Sequence, residues 1–190
     1  MRKKIITLLA VALISMPFMM SFKHSSYEIK DVANEILNLA QSLELPEDAP
    51  VINDAKELWQ KADEWFCRDR DIIATVVYNE AGYGCSDRHM ELVAAVVWNR
   101  VNSDRFPDTV YEVVTAPRQY LPAYADANSF YGKRARKSEV WSKCQEIAEK
   151  VLKGEVDCPE NVFFQANFTQ GTEIYEVHET SYSITYFCYG

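Results

Sequence analysis

The chain has 190 residues, with 20 Lys and Arg against 28 Asp and Glu and a formal net charge of −8 at pH 7. That length holds one ordinary domain with a short appendage, and so acidic a balance excludes an electrostatic nucleic-acid binder, which needs a basic face. The three histidines, His24, His89 and His178, show neither an HExxH nor a paired spacing, so no metal and no other cofactor is expected.

The amino terminus reads MRKKIITLLAVALISMPFMMSF. Arg2, Lys3 and Lys4 precede an almost uninterrupted apolar run from Ile5 to Phe22, the pattern of an export signal. The run approaches the length of a bilayer span, and no small-x-small cleavage site follows it cleanly. Residues 1–22 are therefore read as a signal peptide or a retained signal anchor. On either reading the remainder lies outside the cytoplasm, secreted or anchored at the envelope, and an anchor would be its one membrane contact. Nothing in the sequence sets an oligomeric state.

Next, KDVANEILNLAQSLEL (30–45) spaces Val32, Ile36, Leu39 and Leu43 as an amphipathic helix, and PEDAP (46–50) breaks it. The polar stretch 51–66 is again helical, so 23–66 is read as a helical prelude or stalk and 67–190 as the main domain. That domain opens on RDRDIIATVVYNEAG. Ile72, Ile73, Val76 and Val77 fall on one helix face, and Glu80 continues the same face before Gly82 and Gly84 end the helix. Ser86 caps a second helix running to about Ser103, whose centre LVAAVVW is apolar nearly all round and is expected to be buried. FPDTVYEVVTA gives a short third helix with Pro107 near its first turn, and SEVWSKCQEIAEKVLKG a fourth, stopped by Gly154. Between them, RQYLPAYADANSFYG (118–132) has no clear period and reads as a loop, continued by the solvated basic cluster GKRARK (132–137). The period then changes, and NVFFQA, EIYEVHE and SITYFCY read as three short strands. Helices first and an antiparallel sheet last make an α+β domain.

Among groups able to do chemistry, Glu80 comes first. An apolar face strips solvation from a carboxyl, and a helix carboxyl end places negative dipole beside it, so both effects favour the protonated acid. A fixed protonated carboxyl suits donation to a glycosidic oxygen. The aromatic and amide side chains of the 118–132 loop, Gln119, Tyr120, Tyr124, Phe130 and Tyr131, suit sugar rings and N-acetyl groups. The basic cluster could meet carboxylates of a cell-wall polymer. A thiol mechanism is the rival: Cys85 precedes a helix start, which would lower its pKa, and His178 stands on a later strand. Five cysteines in an exported chain suggest one or two disulfides with a thiol left over.

Taken together, Glu80-Ala81, Asn99-Arg100-Val101, Phe106-Pro107, Val113-Val114 and Gln119-Tyr120, in that order, resemble the SleB-type cell-wall hydrolases, which include the spore-cortex-lytic enzymes. The resemblance covers about residues 70–190. It implies a lysozyme-like helical core, peptidoglycan glycan strands as substrate, and cleavage between N-acetylmuramic acid and N-acetylglucosamine. It assigns the catalytic glutamate to Glu80. Tyr83, Asn99, Gln119, Tyr120 and Tyr124 are the residues expected to bind substrate. Spore-cortex members are lytic transglycosylases, whereas water as the attacking group would make a muramidase, and a chain that had lost turnover would be a glycan-binding envelope protein. The chain departs from the family in reading EAGYG where many members read Glu-Ala-Arg-Gly-Glu, and in its GCSDRHMEL lead into the buried helix.

Overall fold

A computed structural model describes residues 26–190, so residues 1–22, read above as a signal peptide or signal anchor, lie outside the described residues. The chain divides into two compact units between Cys67 and Arg68. In the first unit, helix α1 (Ser26–Ser42) buries Ile29, Ala33, Ile36 and Ala40. The stripe expected through Leu39 is displaced, because Leu39 stays 46% exposed while the two alanines, small enough for close packing, turn inward. Lys30 pairs with Asp63 and lies 4.9 Å from the Trp59 ring centre, where its charge meets both a carboxylate and a π face.

Helix α2 runs without interruption from Pro50 to Ala81, where the sequence suggested two helices. Pro50 occupies its first position, and no further proline or glycine occurs until Gly82, so nothing stops propagation. Through the segment CRDRD the helix simply continues, with Arg68–Asp69 and Arg70–Asp71 paired along its surface at 3.1 and 3.0 Å.

The second unit is built around helix α3 (Asp87–Val101). Ser86 caps it, its side chain accepting from the His89 amide at 3.2 Å, and Leu92 to Val97 are all buried. Helix α3 packs on α4 (Val110–Thr115), α6 (Trp141–Leu152) and strand β1 (Val162–Ala166). Thr109 caps α4, which leaves Pro107 outside the helix, two residues before the cap. Strand β2 (Ile174–Glu179) and β1 both pair antiparallel with β3 (Ile184–Tyr189), in the order β1-β3-β2. Phe164 stands opposite Cys188, and Val177 opposite Tyr186. The class is α+β, mostly helical with a three-stranded sheet at the carboxyl end.

The supposed loop 118–137 is ordered. It holds a 3-10 turn (Pro122–Ala125) and helix α5 (Phe130–Arg136), the latter capped by Ser129, which accepts from the Gly132 amide at 3.0 Å. The basic cluster is thus mostly helix. Gly132 concealed it, being a poor helix former, and is needed for packing: a Cβ there would meet the Asp126 carbonyl oxygen at 2.4 Å and that of Ala127 at 2.9 Å. Ala would gain about 1 kcal/mol in helix propensity. Overpacking against rigid backbone costs about 1–3 kcal/mol and cannot be relieved by a rotamer change. Gly132→Ala is therefore expected to lower the thermal midpoint of the domain, measured by calorimetry, and an unchanged or raised midpoint would contradict this packing.

All five cysteines are free thiols, contrary to the expected bridges. Cys144 on α6 and Cys188 on β3 are buried and serve as small apolar core residues.

Candidate active site

The last turn of helix α2 stays packed, with Tyr78 and Ala81 buried, and it carries the site. Ile72, Ile73, Val76 and Val77 are buried, Asn79 is half-buried and Glu80 is exposed. The expectation of a dry-face Glu80 is corrected accordingly: its angular position continues the apolar stripe, but it is open at the cleft while Tyr78 and Ala81 beside it stay buried. Gly82 then lets the chain fold tightly back, since a Cβ there would meet the Tyr78 carbonyl oxygen at 2.4 Å. The result is a cleft of about 200 Å³ lined by Tyr78, Asn79, Glu80, Ala81, Gly82, Tyr83 and Arg134.

Although Glu80 opens to this cleft, protein packed about its carboxyl displaces part of the hydration shell and raises its pKa. The Tyr124 hydroxyl hydrogen-bonds the same carboxyl and acts in the opposite direction, lowering the pKa, but burial is the larger effect. Tyr124 itself titrates well above the normal phenol range, first because it is buried and then because of the Glu80 charge. It rises from the 3-10 turn and meets the Tyr131 ring edge-on at 5.3 Å. Tyr83 stands 70% exposed at the cleft and packs edge-on against Tyr78 at 6.4 Å.

Tyr120 lies close enough to feel the Glu80 charge. Its hydroxyl is buried without a hydrogen-bond partner among the described residues, and its pKa is pushed up to about 12, chiefly by burial. Above it sits Arg100, buried, with its guanidinium 5.5 Å from the ring centres of both Tyr120 and Phe106. Arg100 Nε donates to the Phe163 carbonyl at 2.8 Å, and its neighbour Asn99 donates through Nδ2 to the carbonyls of Pro159 and Val162 at 2.8 and 3.0 Å. This Asn-Arg pair therefore fastens the end of α3 to strand β1.

Of the five residues expected to bind substrate, the structure gathers Tyr83, Tyr120 and Tyr124 about Glu80. Gln119 is exposed and follows Arg118, whose φ of +66° is unusual for a side-chain-bearing residue. Asn99 is not brought to this cleft. It lines another, of about 610 Å³, whose lining includes Trp98, Asn102, Cys158, Asn161 and Phe163. Sequence reasoning missed Arg134 as part of the Glu80 cleft, and Arg100 as the buried cation over Tyr120. The Ser129 cap was the one local signal that could have placed Arg134 on a helix.

The thiol alternative loses its electrostatic basis here. Burial raises the Cys85 pKa, opposite to the expected lowering, and a thiol held protonated is a poor nucleophile. His178 is engaged elsewhere: its Nε2 lies 2.7 Å from Glu176 Oε1, and its ring stacks on His89 at 5.0 Å. Glu176 in turn pairs with Arg88 at 2.9 Å. Among the described residues no group of His, Cys, Asp and Glu is arranged to hold a metal, and no helix is long and apolar enough to cross a membrane.

A family model described as Cell Wall Hydrolase matches residues 84–188, more than half of the chain, and the chain belongs to that family. A role in cleaving peptidoglycan follows at this level. No curated protein and no solved structure matches the chain. The matched stretch covers α3 to β3 and begins just after the Gly82 turn, so Glu80 stands immediately outside it.

Because the Tyr124 bond lowers the Glu80 pKa, removing it should raise that pKa further. Tyr124→Phe keeps the ring against Tyr131 and deletes only the hydroxyl. If the protonated acid is the active form, the alkaline limb of the kcat/KM profile then moves to higher pH. A shift to lower pH would contradict this hydrogen bond.

Proposed function

We propose that the chain is an exported lytic transglycosylase that cuts peptidoglycan between N-acetylmuramic acid and N-acetylglucosamine, with Glu80 as its single acid–base. The observation that carries this reading is a carboxyl with a raised pKa at a helix end, in a cleft lined otherwise by Tyr78, Asn79, Ala81, Gly82, Tyr83 and Arg134. Two-carboxylate glycosidases place their acids about 5–10 Å apart, and Glu80 is the one carboxylate among the described residues lining this cleft. One acid suffices if it acts twice. Glu80 gives its proton to the leaving glycosidic oxygen as positive charge develops on the muramyl ring. The resulting carboxylate then takes a proton from the muramyl 6-hydroxyl, whose oxygen closes on the anomeric carbon.

Tyr83 offers an exposed face for stacking a sugar, and Tyr124 orients the Glu80 carboxyl. Gln119 and Tyr120 are proposed to contact the glycan further along. Export accords with substrate that lies outside the cytoplasm, and the core is proposed to share the lysozyme-like arrangement of a helix-end glutamate beside a sheet.

Mass spectrometry of vegetative and spore-cortex peptidoglycan digested by the protein tests the reading. Muropeptides ending in 1,6-anhydromuramic acid are the expected product. Reducing muramyl ends would keep the site but make the enzyme a muramidase, and uncut glycan would leave a binding protein.

A further inference from the structure

Helix α5 ends in a run of basic residues that the structure handles unequally. Arg136 is engaged, with Nη2 3.4 Å from Asp71 Oδ2, Nη1 donating to the Gly132 carbonyl at 3.3 Å and the guanidinium 5.1 Å from the Trp141 ring centre. Lys133, Arg134 and Lys137 are exposed and form no ion pair among the described residues. At about 100° per residue, these three and Phe130 fall within an arc of roughly 100° on one helix face. Phe130 is 71% exposed on that face, and Arg134 lines the Glu80 cleft.

The helix dipole favours cations in the last turn, where Lys133, Arg134 and Arg136 stand, but it does not call for Phe130 exposed on the same face or for Arg134 at the Glu80 cleft. General surface composition does not explain a basic face either, because the chain as a whole carries a charge of −8. The face is also rigidly mounted. Ser129 Oγ caps the helix and donates to the Ala123 carbonyl at 2.6 Å, and the Tyr131 ring sits against Tyr124, which holds Glu80. The cations therefore keep a set position relative to the Glu80 carboxyl.

We infer that this face receives the free carboxylates of the peptide stems that hang from a glycan strand lying in the cleft. Phe130 packs against the apolar part of a stem, and Arg134, at the cleft itself, takes the nearest carboxylate. Arg and Lys differ here, since a guanidinium can grip a carboxylate through two N–H groups while the lysines act as point charges. This inference rests on the Glu80 cleft being the glycan-cleaving site, and it adds a requirement for stem-bearing, anionic substrate.

Binding separates the two readings. The full chain carrying Glu80→Gln is sedimented with intact peptidoglycan, with the same material amidated by carbodiimide and ammonia, and with material stripped of phosphate polymers. Each exposed ion pair contributes a factor of up to about fivefold, so combining Lys133→Gln, Arg134→Gln and Lys137→Gln is expected to weaken binding to intact material about tenfold. Amidation should weaken the parent to a similar degree and leave the triple variant little changed, and salt should erase the difference. Equal binding by parent and triple variant, or indifference to amidation, overturns the inference. So does binding lost on phosphate stripping alone, which would assign the cations to phosphodiesters. Failure of the unsubstituted Glu80 protein to cut any of these materials would remove the cleavage reading, while the binding preference is read independently.

Discussion

Glu80→Gln should lower the rate of glycan cleavage by about 10²–10⁴-fold, the usual contribution of a positioned general acid–base. The amide has nearly the shape of the protonated carboxyl, so it should remain beside Tyr124, but it can neither deliver a proton to the leaving oxygen nor accept one from the 6-hydroxyl. Its effect on stability has a definite sign. A carboxyl whose pKa is raised on folding contributes stability below its unfolded pKa and loses that contribution as pH rises through the folded value. Glutamine cannot ionise, so the variant should be at least as stable as the parent at neutral pH. Product release followed by mass spectrometry, with thermal melting as the control, checks both halves. Cleavage at the parental rate would sink Glu80 as the acid, and a collapsed melting point would show that the carboxyl serves the fold instead.

Phe187→Ala is the largest expected loss of stability. Phe187 has no exposed surface, lies on β3, and meets the rings of His89 and His178 edge-on at 5.6 and 5.8 Å. Truncating a buried phenylalanine costs about 3–5 kcal/mol, from lost transfer energy and the cavity left behind. At about 2–4 °C per kcal/mol for a chain of this size, the thermal midpoint should fall by roughly 6–20 °C. Phe130→Ala, on the exposed face of α5, is the contrasting substitution and should stay within about 0.5 kcal/mol of the parent. If the two variants melt together, Phe187 is not the packed core residue described above.

The strands were readable because their residue types and flanking turns agree with their environment, and the expected bounds differ from Val162–Ala166, Ile174–Glu179 and Ile184–Tyr189 by a single residue. Helix α3 was readable for a related reason: a run apolar on every side has nowhere to go but the interior. What stayed hidden depended on partners distant in sequence. Helix α2 was read in two pieces, 51–66 and the stretch from Arg68, yet the paired charges at Arg68 to Asp71 sit comfortably on one continuing helix. Gly132 looked like a loop residue until Asp126 was found pressed against it.

The site divides in the same way. Helical spacing alone carried the position of Glu80 at the end of an apolar stripe, and its desolvation followed. That this position opens to a cleft while Tyr78 and Ala81 beside it stay buried depends on the elements packed around the helix end. Tyr124 was one aromatic among several in an aperiodic segment, and only folding selects it as the hydroxyl on Glu80. Arg100 and Asn99, adjacent in sequence, both turn out to hold backbone carbonyls near β1, although Arg100 also stands over Tyr120.

The strand order β1-β3-β2 has a consequence for how the molecule is made. The last strand synthesised is the one to which both others bond, so a nascent chain that has emerged only as far as residue 183 carries two strands and no sheet. The helices can form in order as they appear, but β1 and β2 wait for Ile184–Tyr189 before their backbone groups are paired. The sheet of this domain is thus completed only once Ile184–Tyr189 is available to both partners.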